Sequence, residues 1–159
     1  MAGTALALAG GGAAWFYQAA WAGGRLTDAG RRVLGGVASA VLDGSLPTDT
    51  GPRLAAIAAH LDRMDATLRA LPPSAQLEVA DLLALLALAP GRLALTGLSA
   101  DWGSASVTQI QAALQAMRGS RVALRQQAYH ALRDLTHAAY FADSATWPRL
   151  GYPGPSKVE

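Results

Sequence analysis

Apolar positions recur at steps of three and four through most of this chain, and that period predicts helices. Val33, Leu34, Val37, Val41 and Leu42 share a helical face, with Thr27 as N-cap and Gly44 beyond the end, so a first amphipathic helix is expected there. After a loop from Leu46 to Pro52, Pro52 suits the opening turn of a second helix. In it Leu54, Ile57, Leu61, Met64, Leu68 and Leu71 form one apolar stripe, while Asp62, Arg63, Asp65 and Arg69 cover the other face. Pro72-Pro73 stops that helix and Ser74 caps a third, which carries Leu77, Leu82, Leu83, Leu85, Leu86 and Leu88. Being apolar on most sides after Asp81, this third helix is expected at the centre of the bundle, and Ala89-Pro90-Gly91 ends it. The stretch from Arg92 to Ser106, with Trp102, reads as a connector. Ser104 or Ser106 then opens a helix with Val107, Ile110, Leu114 and Met117 on one face and Gly119 at its close. Ser120 caps the last helix, which runs to about Ala142 with Leu124, Ala128, Leu132, Leu135 and Ala139 inward. There is no strand alternation of useful length and no fixed-period repeat. The body predicted is an all-α bundle of about five helices over residues 25–142.

Both ends depart from this pattern. No charged side chain occurs from Ala2 to Gly24, a run rich in Ala, Gly and Leu that ends in Trp15-Phe16-Tyr17 and Trp21. Residues 1–24 are therefore expected to be an export signal or a membrane anchor, an apolar helix in either case, with Ala20-Trp21-Ala22 resembling a peptidase site. Its first arginines, Arg25, Arg31 and Arg32, follow the run, the reverse of a signal's basic start. A start further upstream would resolve this, and a helix buried by the protein or by a partner subunit is the alternative. Arg31-Arg32-Val33-Leu34 superficially resembles a twin-arginine motif, but its periodicity fits the first bundle helix better.

Residues 143–159 form the other exception, an irregular tail stiffened by Pro and Gly. Rings cluster at the two ends, leaving Trp102 almost alone between them. Tyr140, Phe141, Trp147 and Tyr152, with Pro153, are the candidate partner-binding residues, because rings bury a large area at low entropic cost. The competing expectation is that the tail folds back and caps its own bundle.

Charge and composition narrow the chemistry. A net charge of +2, carried by arginines scattered among acids and apolar positions, makes no nucleic-acid stripe. With no cysteine, thiol catalysis, disulfides and Cys-based metal sites are excluded. His130 and His137 lie two turns apart, too far to chelate one metal, and Asp134 between them is expected to bond to one of them on the helix surface. His60, beside an apolar stripe, is expected to be a satisfied interior or boundary histidine. Gly10-Gly11-Gly12 follows no strand and lacks nucleotide-loop spacing. With no nucleophile motif and only dispersed carboxylates, no catalytic residue, bound cofactor or metal site is expected in this chain.

The segment Arg25-Leu26-Thr27-Asp28-Ala29-Gly30-Arg31-Arg32-Val33-Leu34, after an export-type run, and the ending Trp147-Pro148-Arg149-Leu150-Gly151-Tyr152-Pro153-Gly154-Pro155 together resemble the gluconate 2-dehydrogenase subunit 3 family. Its W-x-x-x-G-Y-P-G ending is matched by Trp147, Gly151, Tyr152, Pro153 and Gly154. Two departures are that this chain begins within the apolar part and that its segment before Trp147 is short. The resemblance implies a non-catalytic small subunit, exported and periplasmic or inner-membrane associated, with the twin-arginine route usual in the family. Its implied partner is a large FAD-dependent flavoprotein of the glucose-methanol-choline type that oxidises an alcohol or sugar acid, with electrons passing to a c-type cytochrome or quinone. The alternative is a membrane-anchored helical scaffold or hydrophobic-ligand-binding module of the cell envelope, with residues 2–22 retained.

Overall fold

A computed structural model describes residues 19–151. The described chain is an all-α bundle with a two-stranded hairpin at its start. The hairpin pairs β1 (Trp21–Ala22) with β2 (Arg25–Leu26), antiparallel, Trp21 opposite Leu26. Six helices follow: α1 (Asp28–Val41), α2 (Thr50–Arg69), α3 (Pro73–Ala87), α4 (Ala89–Thr96), α5 (Val107–Arg118) and α6 (Ala123–Phe141). A 3₁₀ helix over Ser144–Leu150 closes the described chain. Most of the apolar run expected as a signal or anchor lies outside the described residues, as do Tyr152 and Pro153.

Local signals act where they were read for α1 and α5. Thr27 caps α1, its hydroxyl accepting from the Gly30 N–H. Ser106 and Gln109 form a reciprocal capping box on α5, which satisfies two helix-end donors at once. The last helix differs slightly, because Ser120 accepts from the Val122 N–H and the helix proper starts at Ala123.

The central helix is α1, which touches α2, α3, α5 and α6. That place was expected for α3, which instead packs on α1, α4 and the hairpin and leaves Leu77 69% exposed. Side-chain size explains the exchange. Gly35, Gly36, Ala38 and Ala40 make α1 slender, so neighbours reach it from several sides, whereas the leucines of α3 hold neighbours away. Around α1 the core gathers Val33, Leu34, Val37, Met64, Leu68, Leu83, Leu86, Ile110, Met117 and Leu132. The stripe of α2 is interior only at its centre, Leu61, Met64 and Leu68, while Leu54 is 63% exposed; Leu124, at the start of α6, is likewise exposed.

The third helix ends where expected, at Ala87, but Pro90-Gly91 also opens a new helix, so the start of the expected connector is helical. Pro90 stands in the first turn of α4, where its missing N–H costs nothing, and α3 and α4 meet at a bend of 101°. A side chain at Gly91 would lie 2.2 Å from the Leu85 carbonyl oxygen, so the elbow closes only on glycine. Gly91→Ala is therefore expected to lower stability by about 1–3 kcal/mol, measured by urea unfolding, through forced backbone displacement. An unchanged midpoint would mean that the elbow opens freely.

The segment after α4 is pinned from both sides. Arg92 is buried and donates to the Leu98 and Ser99 carbonyls and to the Asp101 carboxylate. Trp102 is buried and its Nε1–H donates to the Leu86 carbonyl at 2.8 Å. Leu86 lies in the last turn of α3, where carbonyls lack helical partners.

No single described helix is long and apolar enough to cross a membrane. The bent pair α3 and α4 meets that length and composition only when taken together.

Candidate interaction surface at the end of α6

Tyr140 and Phe141 are neighbours on α6, so their side chains leave the helix about 100° apart and cannot share a face. Tyr140 turns inward. It is buried in a small cluster with Ala38 and Leu42, backed by Val41 and Leu46. Phe141 turns outward and is 46% exposed, with its ring 5.6 Å from that of Tyr140 and 5.7 Å from that of His137.

The tail then folds back on the helix end. Asp143 begins the fold: its side chain accepts from the Ala145 N–H, and its carbonyl accepts from both the N–H and the hydroxyl of Thr146. The buried Thr146 hydroxyl also reaches the Tyr140 carbonyl, satisfying an acceptor of the last turn. Trp147, half-buried, donates its indole N–H to the Phe141 carbonyl at 2.8 Å. From α2, Arg63 donates to the Ala139 carbonyl and pairs with Asp143 at 3.1 Å. The start of the tail, expected to be irregular, is thus a 3₁₀ helix held by side-chain bonds to α6 and α2. Gly151 ends it at φ +70°, a left-handed turn that glycine adopts without steric cost.

The five candidate residues therefore separate. Phe141 and Trp147 stand together at the bundle surface, Tyr140 is part of the core, and Tyr152 and Pro153 fall outside the described residues. Arg63 and Asp143, which set the angle of the tail, were not singled out in the sequence. Their separation of 80 positions leaves no local signal.

The histidines give two corrections. Asp134 pairs with Arg133 at 3.1 Å instead of with a histidine, while His130 sets its ring against Tyr129 and His137 against Phe141. His60 is 1% exposed, and neither ring nitrogen has a hydrogen-bond partner among the described residues. It shares the inward side of α2 with Met64, four residues on, which the sequence pattern placed at the edge of the stripe. Among the described residues no group of three His, Asp or Glu side chains could hold a metal ion.

Burial, reinforced by the charge of Arg63, lowers the His60 pKa from 6.5 to about 4. Between those values the unfolded chain holds the proton and the folded one does not, so stability falls as pH drops through that window. The expected loss is about 3 kcal/mol, level again below the lower value. His60→Leu is expected to remove this slope and to gain about 1–2 kcal/mol at neutral pH, because an unpaired buried polar ring is replaced by an apolar side chain. Urea unfolding of both proteins across the window checks it, and an identical slope in the variant would show that another group titrates.

Family models, curated proteins and solved structures gave no match to this chain.

Proposed function

We propose that this chain is a non-catalytic accessory subunit that grips a large FAD-dependent dehydrogenase through the end of α6 and the tail beyond it. One observation carries the proposal. Phe141, the last residue of α6, and Trp147, on the 3₁₀ helix beyond it, are brought together at the surface by a turn that Thr146, Asp143 and Arg63 fix. Surface rings held in place before binding lose little freedom on docking, which is how small aromatic patches reach high affinity. The ending that resembles the gluconate 2-dehydrogenase subunit 3 family begins at Trp147, and its glycine, Gly151, occupies the left-handed turn.

In this proposal the partner is of the glucose-methanol-choline type and holds the FAD, and a c-type cytochrome or quinone takes its electrons. The small subunit aids folding, export or stability of the flavoprotein. Its place is the periplasmic side of the inner membrane, reached by the twin-arginine route, with the apolar run near residues 2–22 serving export or membrane contact.

Tagged protein isolated from its native host tests this. Co-purification of a larger polypeptide with flavin absorbance is the expected result. Recovery of the chain alone under gentle extraction would overturn it.

A further inference from the structure

A polar cleft of about 300 Å³ opens beside the hairpin, lined by Arg25, Leu26, Arg31, Asp62, Asp65 and Arg69. Its three arginines come from β2, α1 and α2, so the fold assembles a cationic rim from positions up to 44 residues apart. Two of the three are held in place. Arg31 pairs with Asp62 at 2.8 Å and lies 3.8 Å from Asp65, and Arg69 donates to the Gly24 carbonyl at 2.9 Å. Asp65 is itself buried and accepts from the Leu26 N–H at 2.8 Å, which fixes β2 against the cleft. Arg25 is exposed, and its side chain has no hydrogen-bond or ion-pair partner among the described residues.

We propose that this cleft binds the phosphate of an anionic phospholipid headgroup. Each guanidinium has five N–H donors, so Arg69 and Arg31 keep donors to spare after their internal bonds, and Arg25 keeps all of its own. Guanidinium forks match phosphate oxygens in geometry and charge. Position favours a bilayer over a protein carboxylate as the source of the anion. The cleft is built on the hairpin that contains the end of the uncharged run from Ala2 to Gly24, and Trp21, a half-buried ring in that hairpin, is of the type enriched at membrane surfaces. Basic side chains close to an anionic leaflet each add about 1 kcal/mol of attraction, a factor of about five in binding. The site is independent of the flavoprotein proposal, since it lies on the hairpin and the tail lies on α6.

Full-length protein is mixed with vesicles of phosphatidylcholine alone or with added phosphatidylglycerol, and the sedimented fraction is measured against salt. Binding is expected to rise on the anionic vesicles and to fall as salt screens it. Arg25→Gln is expected to weaken that lipid-dependent part about fivefold, Arg25→Lys to retain most of it, and Arg118→Gln on α5 to leave it unchanged. The Arg25 guanidinium makes no internal bond among the described residues, so thermal unfolding of Arg25→Gln should match the parent. Equal binding to both vesicle types, or no effect of Arg25→Gln, would overturn the proposal. So would saturable binding of soluble glycerol phosphate without vesicle preference, which marks a free phosphate as ligand. Loss of a co-purifying polypeptide in Arg25→Gln with vesicle binding intact would place a protein carboxylate in the cleft and overturn it equally.

Discussion

Trp102→Ala is expected to destabilise the bundle by about 3–5 kcal/mol, the range for removing a buried indole. The ring lies 3% exposed against the backbone of α1, where Gly36 would bring a side chain to within 3.1 Å of it. Its loss would open a cavity between α1 and the segment after α4, and rigid neighbours would collapse into it only partly. The Leu86 carbonyl would also lose the donor that satisfies it in the last turn of α3. A natural domain has only about 5–15 kcal/mol in hand, so the unfolding midpoint should fall by roughly 10 °C. Trp102→Phe separates the two contributions, keeping most of the volume while removing the hydrogen bond, and should cost about 1–3 kcal/mol. Calorimetry on both variants checks this. A midpoint for Trp102→Ala within a degree or two of the parent would mean that the segment after α4 is not part of the cooperative core.

Phe141→Ala combined with Trp147→Ala is expected to weaken association with the proposed flavoprotein partner by several kcal/mol, two decades or more in Kd. Phe141 is exposed and Trp147 half-buried, so the fold of the bundle should survive the double change, with a stability loss of about 1 kcal/mol where the indole leaves α6. Tyr140→Phe provides the contrast. The Tyr140 ring is buried and its hydroxyl has no hydrogen-bond partner among the described residues, so removing the oxygen should leave association unchanged. Trp147→Ala with Tyr152→Ala extends the same test to the tail beyond Gly151 and should weaken association as strongly. Titration calorimetry or surface binding with the purified flavoprotein measures all three, and equal loss in Tyr140→Phe would mean that the effect travels through the core and not through the contact.

How much the sequence revealed depended on range. Caps act within four residues, so Thr27 could be read directly and the choice between Ser104 and Ser106 falls on Ser106, whereas Ser74, expected to cap α3, lies inside that helix behind Pro72 and Pro73. The centre of each apolar stripe was equally legible, because Leu61, Met64, Leu132 and Leu135 share faces set by the helical period alone. Leu54, Leu77 and Leu124 carry the same apolar signal yet lie near helix starts, exposed among the described residues. Near Pro90-Gly91 one helix stops and another starts; the stop was legible, while the new helix depends on close packing against Leu85. The hairpin has two residues per strand, too few for alternation to register.

The candidate surface divides along the same line. A concentration of rings near the C-terminus was evident from composition, and the angle between adjacent helical residues already required Tyr140 and Phe141 to diverge. Which of them turned inward depended on Ala38 and Leu42, about 100 positions away in the chain. Asp65 and His60 show the same dependence. Helical position placed Asp65 on a polar face and His60 in the interior or at its boundary with its nitrogens satisfied, while α2 packs against α1 and α6 so that both are enclosed. Asp65 then finds the Leu26 N–H and His60 finds nothing.

The most direct test of the central claim is a comparison of tagged parent and Phe141→Ala/Trp147→Ala proteins, purified from the native host and assayed for bound flavoprotein. The parent should carry a larger polypeptide with flavin absorbance, and the variant, folded by circular dichroism, should carry little or none. Equal flavin recovery from both, or none from either, would contradict the assignment of this chain as a subunit that docks through its aromatic end.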